Sequence, residues 1–220
     1  MGSISVTGDP YGIAVSPDGQ FALASTLLSG TVSVIDLTSN LETATLTVGQ
    51  FAYSVTFTPD GALAYVLNFT SVTMSVINTD TLAVSTITVG DAPSGIDFSA
   101  DGSLAYVTNS GNDELIVIDV ATSTIINTFS AGSGPYGVAL SLDGSRAYVV
   151  NYYDDTASVI DTATGTTLQT FPVGVGPYWV TMSPNGAMAF VANFGADTVT
   201  VIDIAYAPSI TTAALPAGNS

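Results

Sequence analysis

The chain offers few side chains able to do chemistry. Its 220 residues carry 18 Asp and Glu, 10 Tyr, one Trp and one cation, Arg146, with no His and no Cys. That inventory removes the disulfide, the thiolate nucleophile, the Ser–His dyad, haem ligation and the ordinary zinc site. Acid–base or metal chemistry must therefore come from carboxylates. Asp113 and Glu114, Asp154 and Asp155, and Asp197 sit in acidic loops, and oxygen-rich loops suit Ca²⁺, although no EF-hand spacing is present. Asp97 is a lone carboxylate where the corresponding positions hold Ala14, Thr56, Ala139 and Thr181. In a narrow channel such a group has a raised pKa and could act as a base. Aromatic residues form a second set: Tyr11, Tyr53, Tyr136 and Tyr178, with Trp179 beside the last, and Phe69, Tyr152, Tyr153 and Phe194 in loops. Aromatic faces among Asn, Asp and Gly are the materials of a carbohydrate- or peptide-binding surface, and equally of packing between neighbouring sheets.

These residues recur because the chain is a repeat. Pro17-Asp18-Gly19 returns as Pro59-Asp60-Gly61, Ala100-Asp101-Gly102, Leu142-Asp143-Gly144 and Pro184-Asn185-Gly186, the glycines stepping by 42, 41, 42 and 42 residues. Val34-Ile35-Asp36 returns as Val76-Ile77-Asn78, Val117-Ile118-Asp119, Val159-Ile160-Asp161 and Val201-Ile202-Asp203, in the same phase. A fixed period of this length is the signature of a repeat architecture.

Each unit reads as four short strands. Runs rich in Val, Thr, Ile and Tyr alternate with Gly, Asp, Asn and Pro, and no sustained helical period appears. Four antiparallel strands per repeat of about 42 residues is the blade of a β-propeller. The predicted fold is all-β, a five-bladed β-propeller, with blades at about 9–48, 49–89, 90–131, 132–173 and 174–206. Residues 3–8 match the ends of outer strands near 87–90 and 171–174, so the sequence predicts that they complete the last blade against Val199–Ile202. Residues 209–213 compete for that place, and residues 207–220 otherwise read as a tail.

The strand signature carries a resemblance. Ala105-Tyr106-Val107-Thr108-Asn109, with variants at 64–68, 147–151 and 189–193, resembles the YVTN-type β-propeller repeats, a family that includes archaeal and bacterial surface-layer proteins. The resemblance implies a secreted propeller, often of seven blades; five is a departure. Residues 207–218 resemble the start of an Ig-like domain of bacterial surface proteins, and this implies a piece of a larger chain. Propeller lactonases converge several acidic or amide ligands on one central metal, whereas here only Asp97 is available.

Composition narrows the partners. A formal net charge of −17 with a single cation excludes nucleic acid and anionic membranes. Yet 47% of residues are hydrophobic, so the chain is no disordered acidic tail. Eight carboxylates, at Asp18, Asp60, Asp101 and Asp143 and at Asp36, Asp119, Asp161 and Asp203, recur in turns and read as structural caps. Leu27 and Leu28 stand in a loop where polar residues are expected and mark a protein contact, and Asn68-Phe69-Thr70 is a glycosylation triplet. The reading that follows is a non-enzymatic structural or interaction module, extracellular or at a cell surface, meeting protein or glycan, with no cofactor other than Ca²⁺. Glycan- or Ca²⁺-dependent ligand binding is the second reading and a lactonase- or lyase-like hydrolase the third.

Overall fold

The computed structural model describes residues 2–204 and, as backbone, 210–214. Twenty strands form five four-stranded antiparallel sheets, and no helix occurs among the described residues. The first sheet is β1 (Pro10–Val15), β2 (Phe21–Thr26), β3 (Thr31–Asp36) and β4 (Leu41–Thr47). The second is β5 (Ala52–Phe57), β6 (Leu63–Asn68), β7 (Thr73–Asn78) and β8 (Val84–Thr88). The third is β9 (Pro93–Phe98), β10 (Leu104–Asn109), β11 (Glu114–Asp119) and β12 (Thr124–Ser130). The fourth is β13 (Pro135–Leu140), β14 (Arg146–Asn151), β15 (Thr156–Asp161) and β16 (Thr167–Pro172). The fifth is β17 (Pro177–Met182), β18 (Met188–Asn193), β19 (Thr198–Asp203) and β20 (Ile210–Ala214). Every sheet is a meander whose strand order follows the chain. The all-β propeller architecture read from the repeat is the observed one.

The chain divides into two compact units, Met1–Ser94 with Val120–Thr124, and Gly95–Asp119 with Ile125–Ser220. In the first unit, Leu23, Val32 and Val34 pack on Val55, Phe57 and Ile77, with Leu46 and Val48 alongside. In the second, Tyr106, Leu115 and Val117 pack on Val138, Leu140 and Ile160. Tyr148, Val159 and Phe171 pack likewise on Val180, Val191 and Ile202. The middle two strands of the first four sheets therefore bury both faces, which is why their runs are apolar without strict alternation.

Close approach of inner strands requires glycine. A Cβ at Gly137 would lie 2.9 Å from the Trp179 Cα, and one at Gly12 would lie 3.0 Å from the Tyr53 carbonyl oxygen. The tight turns are built as the sequence predicts. The Asp18 carboxylate accepts from the Ser16 hydroxyl at 2.6 Å and from the Gln20 amide at 3.0 Å, while Gly19 takes φ 70°.

The end of the array differs from the expectation. The outer strand of the fifth sheet is β20, whose residues pair with β19 from Thr198↔Ala214 to Ile202↔Ile210. Residues 3–8 lie in no sheet. Instead Ile4 and Val6 rest on Ala22, Ala24 and Ile35 of the first sheet. A strand reached by a short connection closes its ladder with less loop entropy than one brought from the far end of the chain. The likeness of residues 207–218 to an Ig-like domain falls on residues outside those described, except for 210–214, which belong to β20.

Candidate functional site

Three features recur around the loops that follow the second strand of each sheet. The signature Asn is buried and spent on the fold. Asn151 Nδ2 donates to Thr156 Oγ1 at 3.0 Å and Ser158 Oγ at 2.9 Å, and its Oδ1 accepts from the Gly132 amide at 3.1 Å. Asn68 and Asn193 donate in the same way, to Thr73 and Ser75 and to Thr198 and Thr200. In the sequence these three Asn are marked by a Thr at +5 and a Ser or Thr at +7. Burial of Asn68 also closes the 68–70 triplet to glycosylation.

The loop carboxylates act as staples. Asp113 Oδ1 accepts from the Gly134 amide and Asp155 Oδ1 from the Gly176 amide, each at 2.8 Å. Asp154 Oδ2 accepts from the Ser133 amide at 2.7 Å. Asp113, Asp155 and Asp197 all adopt positive φ, 54–58°, where Asp is better tolerated than most residues. Asp113 and Asp155 therefore fix the segment leading into the inner strand of the next sheet, and Asp154 the segment leading into that of its own. Among the described residues no three carboxylates gather to hold a metal ion. Asp113, Glu114, Asp154, Asp155 and Asp197 are not gathered into one cluster, and Asp113, Asp154 and Asp155 each accept from a backbone amide 21 residues away.

The aromatic residues are brought together. In the second unit, Tyr136 and Tyr178 stack at 4.9 Å, Tyr152 sits 5.4 Å from Tyr136, Tyr153 meets Tyr152 edge-on at 5.3 Å, and Phe194 lies 5.9 Å from Tyr178. The outer members are open to solvent, Tyr153 by 70% and Phe194 by 73%. In the first unit Tyr11, Tyr53 and Phe69 form a shorter series at 5.3 and 5.7 Å. Trp179 is partly exposed on β17, and Leu28 is exposed in its loop. Such aromatic pairs contribute roughly 0.5–1.5 kcal/mol beyond area burial, so the inner rings stiffen the surface on which the outer ones stand.

Asp97 is half-buried, and burial raises its pKa against the pull of two hydrogen bonds. Its oxygens accept from the Phe98 and Leu140 amides, each at 2.8 Å. Both partners are backbone, so the carboxylate ties β9 to β13, and among the described residues no side chain hydrogen-bonds to it. On the opposite edge of the sheets the turn carboxylates are held low by Ser hydroxyls and turn amides, Asp101 and Asp143 at about 2. Shallow grooves between adjacent turns, about 450 Å³ beside Asp101 and Asp143 and about 270 Å³ beside Asp18 and Asp60, repeat with the fold and single out no site.

The known proteins most informative here share the architecture. Hydrazine synthase of Kuenenia stuttgartiensis superposes with a TM-score of 0.86 at 24% identity, over 98% of this chain and 68% of that one. A functionally unknown protein from Desulfotomaculum acetoxidans superposes at 0.82 with 18% identity, over 94% and 70%. At these identities the likeness shows the fold alone. No curated protein matches by sequence. The family described as "Lactonase, 7-bladed beta-propeller" matches residues 10–171. That match overturns the expectation of a non-enzyme, which rested on missing His and Cys and on a single channel carboxylate, criteria too narrow to exclude an enzyme family. Spanning well over half of the sequence, it settles the kinship: the chain belongs to the lactonase family of β-propellers.

Proposed function

We propose that this is a lactonase-like propeller that takes a neutral ring molecule, a lactone or a sugar-like lactone, on the aromatic surface formed by Tyr136, Tyr152, Tyr153, Tyr178 and Phe194. The observation that carries it is the continuous aromatic series with exposed ends. Stacked rings offer flat apolar faces to C–H-rich rings, while loop amides and tyrosyl hydroxyls supply polar contacts. Family membership supplies the lactone as substrate class. Electrostatics supplies neutrality: Asp113, Glu114, Asp154, Asp155 and Asp197 lie in the surrounding loops and the chain has one cation, so an anionic ligand is repelled. Asp97 is not assigned the base, because its hydrogen bonds go to backbone.

The acidic composition and the Ala-Tyr-Val-Thr-Asn signature support an extracellular or cell-surface setting and YVTN-type kinship within this reading. The test is a titration with neutral lactones and monosaccharides, followed by tyrosine fluorescence, with ring opening followed by acid release. Saturable binding lost in Tyr153→Ala and Phe194→Ala at unchanged melting temperature is expected. No saturable signal with any neutral ring, or equal binding by the double variant, overturns it.

A further inference from the structure

The first sheet exposes positions that the inner sheets bury. On β1, Ile13 is 69% and Val15 56% exposed. Their counterparts Val55 and Phe57, packed on the first sheet, and Val138 and Leu140, packed on the third, are 5–8% exposed. The outer half of the same face is covered by Ile4 and Val6. These two occupy the roles of Leu46 and Val48 toward the second sheet and of Phe171 and Val173 toward the fifth. Residues 4–8 thus have the sequence and seat of an outer strand, yet belong to no sheet.

We infer that this face docks a three-stranded sheet of the same repeat, which pairs its third strand with residues 4–8 and lays its side chains over Ile13 and Val15. The occupant's chemistry is set by the buried interfaces already present. It presents one bulky residue from its second strand, as Leu23 and Tyr106 do, and two aliphatics two positions apart on its third, as Val32 with Val34 and Leu115 with Val117 do. The family carries seven blades in its description, whereas five sheets are found here. Pairing would also draw the backbone of residues 4–8, which lies in no sheet, into a ladder and leave no free strand edge there.

The test builds the occupant from the chain itself. Residues 135–170 replace residues 1–3, so that Thr170 leads directly into Ile4 as it does into Phe171. The expected result is a higher melting temperature, slowed amide exchange at residues 4–8 and reduced binding of an apolar dye. Val15→Asp should remove that gain in the extended chain and leave the melting temperature of the original chain unchanged. An extended chain with unaltered exchange at residues 4–8 overturns the inference. If the extended chain fails to fold, the original decides. A Val15→Asp loss there as large as that of Val55→Asp means the face is already covered. Light scattering that shows a dimer with Val15 protected assigns the face to a second copy instead, and also overturns it. None of these outcomes depends on ligand binding at the aromatic surface.

Discussion

Within the second unit the tight turns and the loops after the signature Asn follow opposite rules. The turns at Asp101, Asp143 and Asn185 repeat one hydrogen-bond pattern, with a Ser hydroxyl and a backbone amide donating to one side-chain oxygen. The loops keep only their ends. Ser110-Gly-Asn112, Tyr152-Tyr-Asp154 and Phe194-Gly-Ala196 each lie between a buried Asn and a positive-φ Asp. What is constant from repeat to repeat holds the backbone, and what varies faces solvent. Variation, not carboxylate density, is the better guide to recognition in a repeated fold.

The largest effect that would break this comparison is at a fixed end. Asn151→Ala strands three hydrogen-bonding partners, one buried and two part-buried, and should cost about 3 kcal/mol, read from denaturant midpoints; a neutral result would remove the distinction. Asp155→Ala loses a part-buried bond to the Gly176 amide and should cost about 1–2 kcal/mol, without altering the aromatic surface directly.

Two carboxylates then sharpen the contrast through pH. Asp143, depressed to about 2, contributes stability above the ordinary carboxylate pKa and loses it as pH falls through the folded value. The wild-type advantage over Asp143→Asn should therefore be full at about pH 5 and vanish toward about pH 2. Asp97 is raised by burial, so its ionised form is the less favourable one in the fold. The wild-type advantage over Asp97→Asn should be greatest in acid and shrink as pH rises through the carboxyl's raised value. Thermal melts from pH 2 to 7 read both; parallel profiles would mean that the two acids do not differ. The smallest expected effect is with calcium. Because Asp113, Asp154 and Asp155 accept from backbone amides, added Ca²⁺ or chelator should leave the melting temperature unchanged, and a clear rise with Ca²⁺ would favour the metal reading.

The strands, the turns and the aromatic clustering were legible because each rests on residues whose spacing repeats: Asp-Gly for the turn, Val-Ile-Asp for the third strand, Tyr after Pro at the inner strand. Three things were not legible. Ile13 and Val15 are as apolar as their buried counterparts Val55, Phe57, Val138 and Leu140, since exposure depends on the neighbour and not on the residue. The choice of residues 210–214 over 3–8 for the last outer strand turns on loop entropy between two chemically similar segments. The fate of Asp97 depends on a backbone amide 43 residues away, a relation that no local pattern encodes. The functional class was not legible for a different reason: absent His and Cys exclude particular mechanisms but not an enzyme family.

The meander order of every sheet has a consequence for how the chain is made. A strand's backbone partners are always its immediate neighbours along the polypeptide, so each ladder closes across a short turn or loop. Backbone pairing can then advance with synthesis: a sheet can finish forming once its own repeat has emerged, and offers a template on which the next one condenses. The cost falls on a sheet face left without a neighbour. Until something covers β1, the protein carries two exposed aliphatics, Ile13 and Val15, on that strand.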